Sequence, residues 1–95
     1  MSEHREGVSI TRLVLDVLKP HQPNIVDFSR VIASVKGVKR VDSSVLEVDV
    51  ETETIKLVID GSDLSVERID EVIKKLGGAI HSIDAVVIER AEHRR

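Results

Sequence analysis

The sequence predicts one α+β domain, and three features of its 95 residues predict it. Apolar and polar residues alternate in four segments, the signature of half-buried strands. Two further segments carry apolar residues at helical spacing, each opened by a capping residue and followed by glycine. The links are short, and no low-complexity stretch or composition shift marks a second domain. The chain therefore reads as one unit over 1–95 with an ordered core at about 8–90.

The first strand is "VSITRLVLDVLKP", in which Leu13, Leu15 and Val17 share one face and Arg12, Val14, Asp16 and Leu18 the other. Pro20 and Pro23 end it and open a loop. Asn24 is placed to cap the first helix, with Asp27 near its positive end. Ile25, Phe28, Ile32 and Val35 form the apolar stripe, and Gly37 is read as the C′ residue that stops the helix. Residues 38–50 are extended, with Leu46, Val48 and Val50 on one side and acids on the other. "ETET" is read as the turn into a third strand built on Ile55, Leu57 and Ile59, which closes at "DGSD". Ser65 caps a second helix with Val66, Ile69, Val72, Ile73 and Leu76 inward, and "GG" ends it. "AIHSIDAVVIE" is the last strand.

This βαββαβ order, with right-handed crossovers, folds most economically as a ferredoxin-like sandwich. Its four-stranded antiparallel sheet has the order 4-1-3-2 and carries both helices on one face. In the hairpin, pairing Val50 with Ile55 also pairs Val48 with Leu57 and Leu46 with Ile59. Asp49 then faces Lys56, and a one-residue slip would set apolar against charged side chains.

Three stretches, "RLVLDVLKPHQP", "GVKRVDSSVLEVDVETETIKLVIDG" and "LGGAIHSIDAVV", resemble the domain-of-unknown-function 211 family of small archaeal proteins. The resemblance spans about residues 12–88. It implies a ferredoxin-like fold, an archaeal source and assembly into ring-like homo-oligomers. The family has no established activity, so no catalytic residue carries over.

Composition removes several functions. Cysteine is absent, which excludes disulfides, thiolate metal sites and cysteine nucleophiles. A net charge of −3 and a single aromatic, Phe28, argue against nucleic acid, which needs basic excess or stacking platforms. The basic end of "ERAEHRR" reads as a solvated tail. The polar opening "MSEHREG" lacks the apolar core of a signal peptide, and no run is long enough to span a membrane. A cytoplasmic protein is expected. One Asn, one Gln and one Met beside many charged residues lean towards a thermophilic source.

Functions hosted by similar folds are then weighed by their motifs. The first βα loop, "KPHQPN", has neither the cysteine pair of heavy-metal chaperones nor the arginine of acylphosphatases. The central strands lack the aromatics of RNA-recognition modules. Ser43–Ser44 has no neighbouring histidine, and "DGSD" lacks the distal glutamate of a calcium loop, so no catalytic residue is assigned. Topology brings His21 and His81 towards one end of the sheet, where the hairpin turn with Glu51 and Glu53 also opens. With the ladder Glu47, Asp49, Glu51 they are the candidate metal ligands. Carboxylates two apart on a strand are roughly 6.5–7 Å apart and repel by only about 0.6 kcal/mol in water. The ladder is therefore expected to be a solvated or inter-subunit face, without a cofactor. The alternative is weak, oligomer-assisted binding of calcium or magnesium.

The expected function is a non-enzymatic homo-oligomeric module, structural or regulatory. The alternative is a domain that senses a small ligand or divalent cation at subunit interfaces. Self-association is expected through the last strand, with Ile80, Ile83, Val86, Val87 and Ile88, and through Val14, Leu18 and Val58 on the helix-free face.

Overall fold

The computed structural model describes residues 7–91. Both polar termini named above lie partly or wholly outside them. The elements are β1 (Val8–Pro20), α1 (Ile25–Ala33), β2 (Val38–Val48), β3 (Thr52–Gly61), α2 (Val66–Lys75) and β4 (Ala79–Arg90). They form one antiparallel sheet in the order β2-β3-β1-β4, which is 4-1-3-2 read from the other edge.

Both helices start where a side-chain oxygen meets an orphan amide. Asn24 Oδ1 accepts the Asp27 N–H at 2.9 Å, and Ser65 Oγ accepts the Arg68 N–H at 3.1 Å. Gly77, at φ 87°, terminates α2 in the left-handed conformation that glycine adopts without strain. Gly37 does not do the same for α1, which ends four residues earlier with Ser34 as its cap. Its φ of 92° serves a different need. The backbone passes so close to the β3–α2 link that a Cβ would lie 2.6 Å from the Ser62 carbonyl oxygen.

The core is one cluster. Leu13, Leu15 and Val17 of β1 and Ile55, Leu57 and Ile59 of β3 meet Phe28 and Ile32 of α1 and Ile69 and Ile73 of α2. Alternation on the two central strands thus turns one face of the sheet to both helices.

The hairpin register differs from the expectation. Val45 pairs with Ile55, Ser43 with Leu57 and Val41 with Ile59, so Leu46, Val48 and Val50 do not. Lys56 faces Ser44 and, across β1, Asp16 rather than Asp49. The turn is not "ETET" but the three residues before Thr52. Asp49 Oδ1 accepts the Val50 N–H at 3.0 Å, and the Asp49 N–H donates to the Thr52 carbonyl at 2.8 Å. Local aspartate turn chemistry outweighs apolar matching along an edge strand that buries little. An irregularity between Val45 and Glu47 then moves the rest of β2 out of the core pattern.

The helices are short for this sheet. At 9 and 10 residues they run about 14–15 Å, whereas strands of 12 and 13 residues run about 40–43 Å. The sheet overhangs them. The β2–β3 hairpin projects past one end, and β1 with β4 projects past the other.

Candidate functional site

At the hairpin end, Lys19 continues the inward series Leu13, Leu15, Val17 and is fully buried. A buried ammonium must be paired and hydrogen-bonded. Its Nζ donates to the carbonyls of Pro20 (2.7 Å), Pro23 (2.6 Å) and His21 (3.3 Å). It also pairs with Glu53 Oε1 at 3.2 Å and lies 5.8 Å from the centre of the Phe28 ring. Lys19 therefore shapes the β1–α1 loop from inside.

Glu53 faces Lys19 across the β1–β3 ladder and is shared with a second cation. His21 Nδ1 lies 3.0 Å from Glu53 Oε2, and His21 Nε2 lies 2.9 Å from the Val50 carbonyl oxygen. Hydrogen bonding to Glu53, then to the Val50 carbonyl, raises the His21 pKa above its ordinary value. The same bond, followed by that from Lys19, lowers the Glu53 pKa.

A second polar group lies lower on β1 and β3. Arg12 Nε donates to Asp60 Oδ1 at 2.6 Å, and Arg40 Nη1 reaches Asp60 Oδ2 at 3.5 Å. The Arg12 hydrogen bond chiefly lowers the Asp60 pKa. Each cation here already has a carboxylate, and the group links three strands.

The five candidate ligands are divided between these surroundings. His21 is committed to Glu53 and Val50. His81 and Glu47 line a cavity of about 320 Å³ with Asp16, Leu18 and Thr54, on the face away from the helices. Asp49 is bound into its turn, and Glu51 is exposed beside it. The row of acids expected along one strand is thus broken, because β2 ends at Val48 and Asp49 and Glu51 lie in the turn. Among the described residues, no three His, Asp or Glu side chains group as a metal site. Asp16, which lines the cavity, has its Oδ1 buried without a hydrogen-bond partner among the described residues.

Sequence reasoning passed over Lys19 and the Arg12–Asp60 pair. The signal for Lys19 was present, since Leu13, Leu15 and Val17 all point inward and Lys19 is the next position of that series. The Asp60 pair required the β1–β3 register, which no local pattern supplies.

Exposed apolar residues gather at two places. Leu46, Val48 and Val50 lie at the hairpin end of β2, where Val50 is 87% exposed. Ile83, Val86, Val87 and Ile88 lie along β4 at the opposite edge and towards the opposite end. Among the described residues, both flanking strands have one unpaired backbone edge. Among the described residues, no helix is long and apolar enough to cross a membrane.

A family model, DUF211, described as an uncharacterised ArCR family, matches residues 11–91. A curated relative, uncharacterized protein MJ0319 of Methanocaldococcus jannaschii, is 47% identical over 78 residues. That alignment covers 82% of this chain and 80% of the relative.

Proposed function

This chain belongs to the DUF211 family, and we propose that it is a non-catalytic, cytoplasmic module of ferredoxin-like fold whose role is carried by self-assembly. The observation behind this reading is the pair of exposed apolar patches on the two edge strands, Leu46, Val48 and Val50 at the hairpin end and Ile83, Val86, Val87 and Ile88 towards the other. Long apolar edges are normally blunted by charge or proline, and neither interrupts residues 85–88 of β4. Because the two surfaces differ, a contact between them is heterologous, and successive heterologous contacts close into a ring when the rotation allows. Light scattering at micromolar concentration tests it. A mass several times 10.5 kDa is expected, and a monomer overturns the reading.

A second reading draws on the cavity that contains the unpartnered Asp16 oxygen. With Glu47 and His81 it suits a small cationic ligand, or a divalent cation that a second subunit helps to coordinate, since among the described residues these three do not group as a metal site within one chain. Calorimetric titration with calcium, and then with Asp16→Asn and Glu47→Gln, tests this. Heat that both substitutions abolish supports it, and no heat from the unaltered protein removes it.

A further inference from the structure

One side chain ties the β2–β3 turn to the loop of residues 20–24, and the tie depends on a proton. Both ring nitrogens of His21 face acceptors: Glu53 Oε2 at 3.0 Å and the Val50 carbonyl at 2.9 Å. A neutral imidazole has one N–H and satisfies only one of them, setting a lone pair against oxygen at the other. We propose that His21 is a proton-gated clasp, which as imidazolium holds the turn against the loop and on losing its proton releases the hairpin end. Through that apolar end the clasp regulates assembly, a step that rests on the assembly reading above.

The surroundings of the ring define its response. Glu53 of β3 faces Nδ1, and the carbonyls of Val50 and Asp49 face it from the turn. Lys19 of β1 stands behind Glu53, 3.2 Å from its other oxygen. Lys19 opposes a second positive charge, but its own three carbonyl partners take up much of its field. Glu53 remains available to both cations.

The direction follows from linkage. The folded-state pKa of His21 is raised, so its contribution is fully present below the unfolded value of about 6.5. It is lost as pH rises through the raised value. The clasp is closed in mild acid and opens on the alkaline side. Within the turn itself the other hydrogen bonds among the described residues are the two that Asp49 makes, and the β2–β3 ladder begins at Val48 and Glu53, so opening is local and leaves the core intact.

Amide exchange measured by NMR on the full chain tests the clasp. Protection is expressed relative to an unstructured peptide at the same pH, alongside the titration of the His21 ring signals. Asp49 and Val50 amides are expected to lose roughly tenfold protection at the His21 midpoint, the scale of one charge-assisted hydrogen bond. Leu15 and Leu57 amides should keep theirs. In His21→Gln the step should vanish, and light scattering of the unaltered protein should show mass falling at the same midpoint. Protection that stays flat, or a step that persists in His21→Gln, overturns the clasp. If that variant does not fold, coincidence of the two midpoints in the unaltered protein decides the matter. A chain monomeric at every pH removes the assembly reading and leaves the amide step to judge the clasp. An assembled mass indifferent to the step refutes the regulatory link.

Discussion

Lys19 occupies a position where the alternation of β1 calls for an apolar side chain. What keeps a charge there is its set of partners: three loop carbonyls and Glu53. Lys19→Met preserves most of the stem but leaves those acceptors without their donor. A loss of roughly 2–4 kcal/mol is expected from urea unfolding. A loss below about 1 kcal/mol would mean that water replaces the ammonium. Phe28 tests the apolar half of the same region. It is fully buried in the core cluster, so Phe28→Ala should cost about 3–5 kcal/mol. A much smaller loss would mean that α1 readily collapses into the space.

The secondary elements depend on local chemistry at their ends. Asn24→Ala and Ser65→Ala each remove one N-cap acceptor, and each should cost about 1 kcal/mol by thermal or urea unfolding. The β1–β3 ladder carries a cross-strand ion pair towards each end, Arg12 with Asp60 and Lys19 with Glu53. Both carboxylates have lowered pKa values, Asp60 chiefly through Arg12 and Glu53 chiefly through His21. Their contribution is therefore present above the unfolded carboxylate range of about 4 and is lost as pH falls through the lowered values. Melting temperature should decline on acidification below about pH 4, and Asp60→Asn should make that decline shallower. An unchanged acid profile in Asp60→Asn would show that the pair does not influence folding.

For the whole molecule, the decisive mismatch is between sheet and helices. Two short helices cover the middle of a long sheet, and the overhangs expose apolar residues at opposite corners. A heterologous contact between them makes a complementation prediction. Val86→Lys should disable the β4 surface, and Val48→Lys the hairpin surface. Each variant alone should be monomeric by light scattering, with circular dichroism unchanged. Mixed together, one intact surface from each should form a dimer that cannot grow. Equal assembly of Val48→Lys and the unaltered protein would point instead to an isologous contact between two β4 strands.

The sequence by itself determined the element order, the strand order, both N-caps and the residues that face inward on β1, β3 and the helices. These follow from short-range rules, because spacing of apolar residues and capping chemistry act within a few residues of one another. Family membership was also legible, through stretches that run across most of the chain. Tertiary structure decided the β2 register, the dispersal of the expected acid row and the pairing of Lys19 with Glu53. Each depends on partners distant in sequence or on competition between local and long-range terms. The turn at Asp49 outweighed the match between Leu46, Val48, Val50 and β3, because an edge strand gains little by burying its apolar side. His21 shows the same division. Its place at the end of β1, at the same end of the sheet as Glu53, was readable, but the contact of both ring nitrogens, with Glu53 and the Val50 carbonyl, is made only once the hairpin has closed.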